Sequence, residues 1–215
     1  MANRSPSPPP GRRRLLAALL GGAGLAAARP RPSLAQGAGA PAEVVERFHA
    51  TLLQVMRDAA RLGVQGRARV LRPAMEAAFD LPAMARIAVG PPWSGMTAEQ
   101  QARIAQAFAD WSVATYASRF DGYSGESFAM AGESTLRSGD RMVRTLLNRG
   151  GGEPVQLGYL LRPGASGWRI VDVYLTGSIS ELASRRAEFT TLLREGGPER
   201  LLGELDQRTA RLLRG

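Results

Sequence analysis

Few side chains in this sequence are equipped for acid–base or nucleophilic chemistry. It contains one histidine, His49, and no cysteine. A nucleophile needs an activating base beside it, and a histidine metal cluster needs several imidazoles; neither has the material here. No GxSxG, GxGxxG or Walker pattern occurs, and Gly150-Gly151-Gly152 lacks a following Lys-Ser/Thr, so it reads as a turn. Glu43 and Glu46, and Glu195 and Glu199, read as surface charges near helix ends, and no carboxylate pair for glycoside chemistry stands out. His49, between Phe48 and Leu52, reads as a partly exposed helix residue rather than a base. The acid in the most suggestive place is Asp172, in an alternating run over Trp168–Leu175. On strict alternation it shares a face with Trp168, Ile170 and Tyr174, while Val171, Val173 and Leu175 form the other. Both faces are then largely apolar, so one meets helices and the other packs on the terminal helices or lines a cavity. A buried acid there needs hydrogen bonds or an arginine, with Arg144 on a neighbouring strand as one candidate. Asp172 therefore reads as structural or gating rather than catalytic.

The elements that position these groups follow from periodicity. From Ala42, Val44, Phe48, Leu52, Val55, Met56 and Ala59 recur at helical spacing. Gly63 and Gly66 punctuate, and Arg67–Phe79 continues as a second helix in which Pro73 would kink or delay the path. Asp80 is placed to cap a short helix carrying Met84, Ile87 and Ala88, which ends at Gly90-Pro91-Pro92. Thr97 with Gln100 is a capping box opening the longest helix, to about Arg119. Its broad side holds Ile104, Phe108, Trp111, Thr115, Tyr116 and Phe120, aromatics that more often build a core than a ligand box. The period then drops to two, with strands predicted over Glu126–Ala131, Arg141–Asn148, Val155–Arg162 and Trp168–Leu175, joined by turn chemistry. Two closing helices, Ser180–Arg194 and Pro198–Leu213, are split by Gly196-Gly197. This order predicts an α+β fold, with N-terminal and C-terminal helices packed on a curved antiparallel sheet of about four strands.

Charge is unevenly spread. The formal net charge is +9 and every basic residue is Arg. Six of the 28 arginines lie in the first 35 residues, which carry no acid; the remainder has 22 Arg against 19 acids, a net of +3. That balance, with no arginine–aromatic module, argues against a nucleic-acid partner. Arg12-Arg13-Arg14 precedes an apolar run from Leu15 to Ala28, within the usual length of a signal-peptide core and short for a membrane span. Residues 1–35 are therefore expected to be a cleaved signal peptide, compatible with twin-arginine export. Ser33-Leu34-Ala35 directs cleavage before Gln36, Ala26-Ala27-Ala28 is a second site, and a retained anchor is the alternative. Residues 36–41 read as a linker and 42–215 as a single domain. An exported chain without disulfides must rely on its hydrophobic core.

Several segments together resemble one family. Phe79-Asp80-Leu81-Pro82-Ala83-Met84-Ala85-Arg86-Ile87-Ala88-Val89-Gly90 is similar to the FDxxxMARxxLG segment of the MlaC/toluene-tolerance (Ttg2-type) family of periplasmic lipid-binding proteins. The resemblance continues through Trp93, Thr97-Ala98-Glu99-Gln100, Phe108, Thr115-Tyr116, Tyr159-Leu160-Leu161, Trp168-Arg169-Ile170-Val171-Asp172-Val173, Arg186-Ala187-Glu188-Phe189 and Leu193-Arg194-Glu195-Gly196-Gly197. It spans nearly all of the chain after the export segment. Ser178–Phe189 looks more like the hopanoid-biosynthesis-associated HpnM branch, because Arg185 stands where phospholipid carriers of the GVSLxxxYRxxF type have Tyr. The resemblance implies a soluble periplasmic shuttle, not an enzyme, with no cofactor or metal. Its ligand would be a phospholipid or a hopanoid, held in an apolar cavity between sheet and helices. Its implied partners are an inner-membrane MCE-domain ABC transporter and an outer-membrane lipoprotein complex, with only transient membrane proximity.

On that reading the candidate lipid-contacting residues are Met75, Met84, Phe108, Tyr116 and Phe120 from helices and Val143, Leu147, Leu157, Tyr159, Leu161, Val171 and Val173 from strands. Core packing is equally open for each. Arg185 and Arg186 could hold a lipid phosphate or simply form a solvated face. Two rivals stand beside the shuttle. One is a cone-shaped, NTF2-like enzyme acting on a hydrophobic substrate, with Asp172 as general base beside Tyr159 or Tyr174. The other is an adaptor role in a hopanoid-producing membrane system.

Overall fold

Two side-chain caps set the N-terminal half of the fold. The Asp80 carboxylate accepts from the Ala83 amide, and Thr97 and Gln100 cap each other's backbone amides, so helices begin where the sequence signals place them. The computed structural model describes residues 40–176 and 178–214; the expected export segment and most of the linker lie outside them. All described residues fall within one compact unit. The helices are α1 (Pro41–Arg57), α2 (Ala59–Ala78), α3 (Leu81–Val89), α4 (Ala98–Arg119) and α5 (Glu181–Arg214), with a 3₁₀ turn at Pro91–Gly95. Among the described residues no helix is long and apolar enough to cross a membrane.

Of the two expected punctuating glycines, only Gly63 leaves helical geometry, at φ 58°. Gly66 and Pro73 stay inside α2. The first helix stops at Arg57, two residues short of the apolar pattern, because Asp58 leaves the helical region there. Gly196 and Gly197 break α5 into the two expected segments. Gly90 ends α3 at φ 72°, and Arg186 crosses it to donate from Nε and Nη2 to the Ile87 carbonyl. A Cβ at Gly90 would lie 3.3 Å from that guanidinium, so both dihedral and space favour glycine.

The strands are β1 (Ser127–Thr135), β2 (Arg141–Asn148), β3 (Val155–Gly164), β4 (Gly167–Leu175) and β5 (Ile179–Ser180), antiparallel in chain order. The α+β reading holds, with five strands rather than about four. β1 runs past the expected Ala131 because a bulge between Met130 and Gly132 lets pairing resume as far as Thr135. β5 has only two residues, too few for a periodic signal.

A second bulge changes the reading of β4. Leu160 pairs with Asp172 but Leu161 pairs with Ile170, leaving Val171 as the extra residue. Strict alternation therefore fails at Val171, and Ile170 shares the helix-facing side with Val173 and Leu175. Helices and cavity lie on that same side of the sheet. Its other side carries Leu146, Leu160 and Tyr174, each partly exposed. The core joins Phe48, Leu52, Leu71, Met75, Ile104, Phe189 and Leu201 to Tyr159, Leu161 and Ile170. The Asp80 amide donates to the Ile170 carbonyl, pinning the start of α3 to β4.

Candidate functional site

Between the sheet and the helices, with Phe79 and Leu81 on either side of Asp80 on its lining, lies a cavity of about 240 Å³. Alternation places Leu147, Leu157, Val173 and Leu175 on its floor, with Val155 and Tyr159. Met75, Phe79, Leu81 and Met84 close one side, while Phe108, Trp111, Tyr116 and Phe120 of α4 form a wall. Leu182 closes the α5 side, and Arg119, Glu181 and Arg185 are the charged groups on the lining. The aromatics pack edge-on or offset: Phe108 against Trp111 and Phe189, and Tyr116 stacked with Phe120. Burial pushes the Tyr116 and Tyr159 hydroxyl pKa values far up, with Glu181 adding to the shift at Tyr116, so both are neutral phenols. Such a wall is dry, with few polar handles.

Nine of the twelve residues singled out in the sequence sit on this wall: Met75, Met84, Phe108, Tyr116, Phe120, Leu147, Leu157, Tyr159 and Val173. Val143, Leu161 and Val171 do not. Val143 and Leu161 point to the correct side of the sheet but are fully buried in the core. Val171 is the bulged residue, so parity misplaces it. Val155 and Leu175 were missed, although each lies two positions along its strand from a residue that was selected. Trp111 and Thr115 were also visible, one helical turn along α4 from Phe108 and from Trp111.

Asp172 is buried but does not line the cavity. One carboxylate oxygen accepts from the Val173 amide at 2.8 Å and the Leu182 amide at 3.3 Å; the other accepts from the Ser180 hydroxyl. Ser180 Oγ also accepts from the Ala183 amide. Asp172 thus fastens β5 and the first turn of α5 to β4. Arg144 is not its partner and donates to Ser134 instead. The geometry needed for a general base at the cavity is absent. Asp172→Asn is expected to cost about 1–3 kcal/mol, because one strong acceptor becomes a donor facing Ser180 or a backbone amide. Urea melts would show that loss, and an unchanged midpoint would refute the clamp role.

His49 is not partly exposed but buried at 4%. Its Nε2 lies 2.8 Å from the Tyr159 hydroxyl, and its ring stacks on Phe128 with centroids 3.7 Å apart. Desolvation lowers its pKa from 6.5 to about 4, so at neutral pH it is an uncharged ring holding a cavity tyrosine in place. Among the described residues no cluster of His, Cys, Asp or Glu is placed to hold a metal ion.

Comparison with known proteins agrees with this architecture. A solved structure of a phospholipid-binding protein from Ralstonia solanacearum, in complex with a phospholipid, has a TM-score of 0.70 and 26% identity to this chain. The match covers 82% of this chain and 98% of that one. No curated protein matches. The MlaC protein family matches residues 46–207, from the middle of α1 to the last turns of α5, and the chain belongs to that family.

Proposed function

We propose that the protein is a periplasmic lipid-binding shuttle that carries a phospholipid or hopanoid between inner and outer membranes. The observation that carries this reading is the apolar cavity between sheet and helices, in a family with a structural relative described with a bound phospholipid. Each methylene moved into water costs about 0.8 kcal/mol, so a 16-carbon chain costs roughly 13 kcal/mol to expose. A lipid with two such chains crosses an aqueous gap at a useful rate only if a carrier replaces the membrane's apolar surroundings. The replacement must be close to balanced, since a much tighter site would never release its cargo. The inferred exchange partners are an inner-membrane MCE-domain ABC transporter and an outer-membrane lipoprotein complex. Arg185 in place of the tyrosine of ordinary phospholipid carriers keeps a hopanoid ligand in view.

The test is solvent extraction and native mass spectrometry of the folded protein purified after export. About one lipid per chain is expected, and repeated absence of any lipid from well-folded protein would overturn the reading. The enzyme rival has no support from Asp172, which faces Ser180 and backbone amides rather than the cavity.

A further inference from the structure

The cavity does not end in bulk solvent alone. A second hollow, of about 650 Å³, adjoins it and shares Trp111, Thr115, Arg119 and Arg185 with its wall. Trp111, Thr115 and Arg119 lie one above another along α4, so this row is the lip between the two spaces. The second hollow is of opposite character: Arg67, Arg119, Arg185, Arg208 and Arg211 line it, with Asp121 as its one acidic lining residue. Three helices, α2, α4 and α5, bring these arginines together.

Their commitments differ. Arg208 is held by Glu188 and Glu204, Arg185 by Glu181 and Glu188, and Arg211 reaches Glu204 at 3.5 Å. Arg185 also lies over the Trp111 ring, 4.8 Å from its centroid. Arg67 and Arg119 have no carboxylate within ion-pair distance among the described residues. Arg67 is buried at 8%, its Nε and Nη1 donating to the Ala117 and Ala59 carbonyls. Arg67 is thus a buried guanidinium that faces the hollow and is bonded only to carbonyls, whereas a buried charge is normally paired.

We propose that this arginine-lined hollow receives the phosphate of the lipid whose tails occupy the apolar cavity, and that it selects lipids with a net-anionic headgroup. The inference rests on the lipid-binding reading above and adds headgroup class to it. A phosphate oxygen takes strong charge-assisted hydrogen bonds from planar guanidinium groups. An amine-bearing zwitterionic head would bring an ammonium into the same cationic space and lose part of that gain. The lip geometry suits an amphiphile: apolar on one side of the Trp111–Arg119 row, cationic on the other.

The test loads delipidated protein from vesicles of equal phosphatidylglycerol and phosphatidylethanolamine, re-isolates it and measures both bound lipids. Wild-type protein is expected to take phosphatidylglycerol about fivefold over phosphatidylethanolamine, and the doubly charge-reversed Arg119→Glu/Arg211→Glu protein to fall to a ratio near one. A charge-matched control, Arg47→Glu/Arg144→Glu, reverses exposed arginines outside the hollow and should keep the wild-type ratio. Lipid uptake without headgroup preference overturns the proposal while leaving the carrier reading intact. Loss of preference in the control as well also overturns it, since general adsorption to anionic vesicles would then be the cause. Absence of any lipid in wild-type protein defeats the carrier reading itself. Inorganic phosphate added during loading at constant ionic strength competes for the same arginines as the lipid phosphate, and a fall in the wild-type ratio supports a phosphate-accepting hollow. Equal phosphate binding by wild type and the Arg119→Glu/Arg211→Glu protein would overturn it.

Discussion

Val173→Trp protein is expected to purify folded and with less than about a tenth of the wild-type lipid content. Val173 points from β4 into the cavity, opposite Tyr159 in register, and its side chain is part of the floor. An indole there fills space that an acyl chain or ring system would occupy. If it displaces about four methylenes, the loss is about 3 kcal/mol, or roughly a hundredfold in affinity. The protein itself should lose no more than the usual cost of overpacking, about 1–3 kcal/mol, because the indole has an existing hollow to enter. Leu146→Trp is the matched control. Leu146 is next to the cavity residue Leu147 but on the opposite side of the sheet, so lipid content should stay at the wild-type level. Mass spectrometry of extracted lipid together with a thermal melt reads both effects. Full lipid content in folded Val173→Trp protein would show that the cargo does not sit on this floor.

The second large effect is on stability at acid pH. His49 has its pKa lowered by burial from 6.5 to about 4, so the folded state resists a proton that the unfolded chain accepts. The contribution is fully present above pH 6.5, declines as pH falls through that value and is fully lost below about pH 4. Integrated over that window the loss is about 3 kcal/mol. Carboxylates titrate in the same range, so the comparison must be made against His49→Gln. Urea denaturation at pH 7.5 and pH 4.5 should show wild-type protein losing roughly 2–3 kcal/mol more than the variant over that interval. Parallel losses in the two proteins would mean that His49 is not buried neutral. The group concerned touches the cavity wall, because His49 Nε2 is bonded to the Tyr159 hydroxyl.

Helix starts were legible because caps are local: Asp80 and Thr97 each bond to an amide three residues on. Strand existence was legible for the same reason, from alternation over a few residues and turn chemistry between them. The floor of the cavity followed wherever alternation was unbroken, as at Leu147, Leu157 and Val173. It failed at Val171 because a bulge is a property of a strand pair, set by how β3 and β4 align, and no single strand records it. Val143 and Leu161 failed for another reason. Side-chain parity reports which side of the sheet a residue faces, not where along the strand the covering helices close down.

His49 and the arginines show the limit most clearly. A histidine between two apolar residues of a helix carries no local sign that its ring will meet Tyr159, 110 residues away. Arg67, Arg119, Arg185, Arg208 and Arg211 are scattered over three helices and mean nothing as a linear pattern. By itself the sequence determined the element order, the caps, the α+β class and the family resemblance, all of which rest on periodicity, short-range bonding or motif spacing. Tertiary structure alone decided which apolar residues were left uncovered, that the single histidine lost its water and where the arginines converged. Those outcomes depend on the docking of α2, α4 and α5 against each other and the sheet, and docking is a sum over contacts between distant parts of the chain.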